Sequence, residues 1–170
     1  MSSVSSQPLS CQKALSIAVL VGLATFGFQA TAGSHVDLSN ASVLVREGDV
    51  PAAEKAAAET LIEEIESRTG IKLPTTTTWP GSPQTLIAIA SGQEVLIGGR
   101  EVQRRSGEGR PENKPGGYRI WIDEAQGSAP TVWILGGDGR GALFGVGHLL
   151  RKMSWSKGAV GVPADLDVAA

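Results

Sequence analysis

Between Gly116 and Met153 the hydrophobic period of the chain changes once, and that change predicts the centre of the fold. Tyr118, Ile120 and Ile122 alternate with Arg119, Trp121 and Asp123, the period-two signature of a half-buried strand. Residues 131–135 repeat the alternation, with Val132 and Ile134 on one side and Trp133 on the other. From Ala142 the spacing turns helical: Leu143, Val146, Gly147, Leu150 and Met153 share one face, with Leu149 beside them. Asp138 is placed to cap that helix through its carboxylate. Gly139, Gly141, Gly145 and Gly147 each cost about 1 kcal/mol of helix propensity relative to alanine, tolerable where a helix must lie very close against a sheet.

Upstream, residues 41–45 (ASVLV) read as a strand, ended by Glu47-Gly48-Asp49. The spacing predicts a helix over 51–68. Pro51 suits its first turn, Ala58, Leu61, Ile62 and Ile65 form its apolar stripe, and Gly70 stops it. Glu54, Lys55, Glu59, Glu63, Glu64 and Glu66 are expected on its wet side. Residues 75–83 (TTTTWPGSP) form a turn-rich connector, and 85–90 an almost wholly apolar, central strand. A short apolar piece at 95–98 precedes a polar loop over 100–115, which carries Arg100, Arg104, Arg105 and Arg110 among Glu101, Glu108 and Glu112. After Met153 only one weak strand is expected.

The two tryptophan-bearing strands are joined by a loop of about eight residues, too short for a helical crossover, so they should pair antiparallel. Two helices and four or five strands predict an α+β, two-layer sandwich: a mostly antiparallel 4–5 stranded sheet with both helices on one face. With Tyr118, Ile120, Ile122, Val132 and Ile134 toward the helices, Trp121 and Trp133 both point the other way. An exposed indole pair there would be a contiguous apolar patch, and these two residues are the binding or docking candidates.

The amino-terminal segment changes the domain count. Lys13 precedes an apolar run at 14–28, followed by Gln29-Ala30-Thr31-Ala32-Gly33. A basic n-region, a short h-region and an A-x-A site predict a secretory signal peptide over 1–32, cleaved after Ala32. The run is shorter than the roughly 20 residues a spanning helix needs, so no stable membrane anchor is expected after cleavage. Cys11 lies ahead of the run, which is the wrong order for a lipid anchor. The expected organisation is therefore 1–32 leader, 33–155 folded domain and 156–170 linker tail, in a secreted or periplasmic protein. Losing the leader removes Cys11, the only cysteine, and with it any disulfide, thiol nucleophile or Cys-based metal site. The chain has 15 Lys and Arg against 17 Asp and Glu, and Lys13 leaves with the leader. That balance argues against nucleic acid and against a basic membrane face.

Cofactor and metal chemistry find little support. Gly137-Asp138-Gly139-Arg140-Gly141-Ala142 fits a G-x-G-x-x-A dinucleotide fingerprint between a strand and a helix. The preceding strand is expected to pair antiparallel and the second half of such a fold is missing, so a tight glycine turn is the better reading and no cofactor is expected. His35 and His148 stand apart, and Lys152 lies one turn after His148 instead of a second ligand, so no metal is expected. The arginines of the polar loop could pair with a uronate, but the interleaved glutamates favour a solvated loop. No G-x-S-x-G nucleophile elbow is present.

The order β-α-β, then Gly116-Gly117-Tyr118-Arg119-Ile120, Thr131-Val132-Trp133-Ile134 and the helix after Asp138, resembles a known domain. It is similar to the non-catalytic N-terminal α/β domain of certain bacterial glycoside hydrolases, the β-N-acetylhexosaminidases (family 20, domain 2) and the α-glucuronidases. The likeness is strongest from Arg140 to Leu150 (RGALFGVGHLL) and extends over about residues 41–167. Val162-Pro163-Ala164-Asp165-Leu166-Asp167 looks like the strand that leads into the catalytic barrel. The resemblance implies that the chemistry belongs to that barrel, where family 20 enzymes carry Asp-Glu after His-x-Gly-Gly. Here Asp123-Glu124 follows Trp121-Ile122, and Gly139 follows Gly136-Gly137-Asp138 where the glutamate would stand. No catalytic residue is assigned in this chain. The expected function is an exported, non-catalytic accessory domain of a glycoside hydrolase in carbohydrate metabolism or polysaccharide breakdown. Its partner would be a catalytic barrel or a polysaccharide; a lectin-like carbohydrate-binding module using Trp121 and Trp133 is the alternative.

Overall fold

The computed structural model describes residues 34–92, 96–102, 110–124 and 129–170. The expected leader over 1–32 lies outside these residues, as do Arg104, Arg105 and Glu108 of the polar loop.

Among the described residues, two α-helices organise the fold. α1 (Ala52–Thr69) follows Pro51 and ends at Gly70, whose left-handed backbone (φ 77°) turns its N–H back to the Glu66 carbonyl at 2.8 Å. α2 (Gly139–Lys152) begins at Asp138, earlier than the apolar period alone placed it. The strands of the central sheet are β2 (Ser42–Leu44), β3 (Thr75–Thr76), β4 (Leu86–Ser91), β7 (Tyr118–Asp123), β8 (Thr131–Gly136) and β11 (Asp167–Ala169). Between β4 and β7 come a small hairpin, β5 (Leu96–Ile97) with β6 (Arg100–Glu101), and a 3-10 turn at Pro111–Asn113.

The sandwich has the expected α+β character, with a larger and more mixed sheet. Its order is β11-β7-β8-β4-β2-β3. β7 and β8 pair antiparallel in register, Trp121 opposite Trp133, as their short connection requires. β8, β4, β2 and β3 run parallel, which corrects the mostly antiparallel expectation. The reason lies in the connections. α1 carries the chain from β2 back to β3 beside it, and residues 77–85 then lead past β2 to β4, so both neighbours of β2 run parallel to it. β8 returns beside β4 only after the excursion through the hairpin and β7, so it too runs with β4.

Both helices cover one face. Val43, Ile87, Ile89, Ile120, Ile122, Val132 and Ile134 meet Ala57, Leu61, Ile65, Ala142, Val146 and Leu149 in one buried cluster. Each fully buried Leu or Ile contributes roughly 1.5–3 kcal/mol relative to exposure, so this layer carries a large share of the stability. The buried stripe of α2 is rotated from the expected one: Ala142, Gly145, Val146 and Leu149 are buried, while Leu143 and Leu150 are half-buried. Gly145 explains the close approach, because a Cβ there would stand 2.7 Å from Ile134 Cγ2.

Two further corrections concern charge and the tail. Glu54, expected on the wet side of α1, is 4% exposed. Arg46 grips it with two hydrogen bonds, Nε to Oε1 at 2.8 Å and Nη2 to Oε2 at 2.5 Å, and the Ser91 hydroxyl donates to Oε2 at 2.5 Å. A carboxylate with those partners can be buried where a bare one could not. Residues 156–170, expected as a linker tail, are built into the domain. β10 (Ala159–Pro163) pairs antiparallel with β1 (His35–Asp37) and β9 (Ser154–Ser156) in a small second sheet. Val160 and Val162 point inward from β10, and β11 closes the edge of the central sheet along β7. Valine alternating with small residues is enough to fill the end of the core, which is why the segment folds.

Candidate functional site

In open α/β sheets, ligands usually collect outside the carboxyl ends of parallel strands, near helix N-termini. Here the α2 side of that end is filled by the chain itself. Asp138 Oδ1 accepts from the Gly141 amide at 2.8 Å and the Gly116 amide at 3.0 Å, so a carboxylate already occupies the anion position of α2. The Gly141 amide, foremost, holds the Asp138 carboxyl below its ordinary range against desolvation, the next largest effect, with the Gly116 amide and Arg140 adding smaller shares. The glycines of the fingerprint admit backbone. A Cβ on Gly137 would stand 2.0 Å from the Lys114 carbonyl oxygen, and one on Gly141 would stand 2.2 Å from that of Gly117. The tight-turn reading of residues 137–142 accounts for them.

On the helical side, His148 Nδ1 lies 2.8 Å from the Tyr118 hydroxyl, with the rings edge-on. Burial, then the charges of Arg151 and Lys152, hold the His148 imidazolium below its ordinary pKa. Asp123 and Glu124 stand exposed at the far end of β7. Among the described residues no three His, Cys, Asp or Glu side chains gather where they could hold a metal ion.

The opposite face of the sheet holds the second cluster. Trp121 and Trp133 do point away from the helices, but they are 2% and 7% exposed, which corrects the expected open patch. They stack on each other, centroids 5.8 Å apart and 14° from parallel. Among the described residues, the middle of the chain covers them. Ile97 and Val102 of the hairpin region close over them, with Trp79 packed against Trp133 at 5.8 Å and 50°. Trp79 is fixed by its own Nε1–H, which donates to the Ile97 carbonyl at 2.8 Å. Gly98, with φ 57°, passes so close that a Cβ there would lie 2.7 Å from Trp79 Cδ1. The Arg100 guanidinium sits over the same indole, 4.7 Å from a ring centroid.

Beside this cluster lies a hollow of about 370 Å³, with Trp79, Trp133, Gln84, Arg100, Glu101 and Asp123 in its wall. Of the two expected candidates, Trp133 reaches the hollow and Trp121 lies beneath it. Trp79 and Arg100 were not among the candidates. A lone indole in a Thr/Pro/Gly connector was the available signal, since a large apolar side chain in a polar turn needs somewhere to go.

Fold and hollow together define a two-layer α+β domain with an aromatic-lined depression on the sheet face its helices leave open. The chain belongs to glycosyl hydrolase family 20, domain 2, whose family model matches residues 28–164. Solved structures with a similar trace include a family 20 exo-β-N-acetylglucosaminidase from Vibrio harveyi in complex with N-acetylglucosamine. That likeness has 14% identity and TM-score 0.49 over 80% of this chain and 16% of that one. A family 20 β-N-acetylhexosaminidase from Streptomyces coelicolor A3(2) matches at 14% identity and TM-score 0.47, over 79% of this chain and 23% of that one. A β-hexosaminidase from Streptomyces plicatus matches at 19% identity and TM-score 0.46, over 81% and 23%. The chain thus spans less than a quarter of the length of these enzymes. No curated protein matches it in sequence.

Proposed function

We propose that this chain is an exported, non-catalytic accessory domain of a family 20 glycoside hydrolase, working in carbohydrate breakdown beside a separate catalytic barrel. The observation that carries the reading is the match to domain 2 of that family over residues 28–164. Glycoside hydrolysis needs two carboxyl groups set about the scissile bond, or one with a substrate acetamido group. Asp123 and Glu124 follow each other at an exposed strand end. Successive extended residues point to opposite sides, which suits a turn better than a shared bond. The family match favours N-acetylhexosaminides over the uronates that the α-glucuronidase likeness would imply. Export is supported by Lys13, the apolar run at 14–28 and the A-x-A site ending at Ala32.

The test has two arms. Expressed from Met1 in a bacterial host, the exported protein should begin at Gly33 on N-terminal sequencing; an uncleaved cytoplasmic product would defeat the export half. The purified chain should give no turnover of an aryl β-N-acetylglucosaminide, and measurable turnover lost on mutating Asp123 or Glu124 would defeat the non-catalytic half.

A further inference from the structure

We propose that the hollow between Trp79, Trp133 and the β5–β6 hairpin binds one ring of a neutral saccharide, a hexose or N-acetylhexosamine unit. The inference rests on the accessory-domain reading only for placing a sugar polymer within reach; the site itself is argued from its walls.

The volume sets the scale. At about 370 Å³ the hollow is near the small end of ligand sites, which run roughly 300–1,000 Å³, enough for one pyranose and its substituents. The shape of the wall sets the chemistry. A pyranose has a face of C–H groups and a rim of hydroxyls, so it matches a site with aromatic faces at the back and polar groups at the edge. Half-buried Trp79 provides the aromatic face, and Trp133, tilted 50° to it and 7% exposed, contributes only the small part of its ring that still reaches the hollow. Trp79 is pinned by its hydrogen bond to Ile97 and by the close passage of Gly98, so little ordering is needed on binding. Arg100 is exposed and lies over the Trp79 ring. A cation–π contact in water is weak enough for a sugar face to displace it.

Charge narrows the ligand further. The edge carries one guanidinium, Arg100, and two carboxylates, Glu101 and Asp123. That balance disfavours uronates, sulfated sugars and phosphates. The same carboxylates accept hydrogen bonds from sugar hydroxyls or an acetamide N–H, and charge-assisted bonds of this kind are about twice as strong as neutral ones. Gln84 also lines the wall, its Nε2 already donating to Ser42 Oγ at 2.8 Å, and is therefore held in place.

The full chain is titrated with N,N′-diacetylchitobiose, cellobiose and glucuronic acid, reading tryptophan fluorescence and saturation-transfer NMR. A saturable response to at least one neutral disaccharide is expected at millimolar concentration, with none to glucuronic acid over the same range. Asp123→Asn, at an exposed strand end that should tolerate it, is expected to weaken binding about tenfold, and Trp79→Ala to abolish it. Silence toward both neutral sugars overturns the proposal, as does an isotherm unchanged in both variants or an equal response to glucuronic acid. The outcome is separable from the reading above. Turnover or failed export leaves the isotherm standing, and a silent isotherm with clean export and no turnover removes only the hollow.

Discussion

The two faces of the central sheet are covered in different ways. On one, regular helices lay aliphatic side chains onto aliphatic strands, and α2 comes close enough that only glycine fits opposite Ile134. On the other, the strands present Trp121, Trp133, Leu135 and Ala88, and the cover is a connector and a two-residue-stranded hairpin. The first face is sealed by area. The second is sealed by a few specific contacts, the Trp79–Ile97 hydrogen bond and the Arg100–Trp79 stack, and leaves a hollow where the cover stops. A sheet with two buried faces does not need two helical layers; three indoles and a short hairpin can close one of them.

If the tryptophan face is a true second core, Trp133→Ala should cost about 3–5 kcal/mol by urea unfolding. A loss under roughly 1 kcal/mol would reduce that face to a loose lid. Leu61→Ala, in the helical layer, should cost about 2–5 kcal/mol with an unchanged denaturant slope. Trp79→Phe keeps an aromatic ring but removes the donor to Ile97, and should cost about 0.5–1.5 kcal/mol. Its diagnostic sign is faster hydrogen exchange at residues 97–102 with β4 unaffected, since local opening of the cover need not open the sheet. An effect spread equally over both regions would merge the two faces into one cooperative layer.

The smallest expected effect is a pH dependence that belongs to the helical side. His148 resists protonation in the fold, so the unfolded chain takes up the proton first. The stability is full above the ordinary value of 6.5 and falls as the pH drops below it, levelling off beneath the folded value. His148→Gln should flatten that slope below the ordinary value of 6.5 in thermal scans, and Trp79→Phe should leave it intact.

The helical face was legible because its signals are local. The alternation in 118–123 and 131–135 assigned each side chain to its face correctly, and the short link between those segments fixed their antiparallel pairing. The helices announced themselves through Pro51, Gly70 and Asp138. The parallel pairing of β4 with β8 joins residues more than forty apart and leaves no local trace. The fate of the indoles was hidden for a related reason: Trp79 and the hairpin lie in a stretch of Thr, Pro, Gly and charge with no period to read. β10 fits the one weak strand expected after Met153, its Val160 and Val162 alternating with smaller residues, but its pairing with the distant β1 left no local trace. The burial of Glu54 could not be read either, because its period on α1 says nothing of Arg46 in the preceding loop or Ser91 at the end of β4.

That carboxylate joins three stretches of chain: the turn after β2, the first coil of α1, and the last residue of β4. A fragment ending before β4 would have to hide the anion with the arginine alone, and one beginning after Arg46 would have to hide it with a hydroxyl alone. Neither half is a comfortable resting place, so strand, crossing helix and neighbouring strand are driven to assemble or come apart together, as a single latch with no half-closed setting.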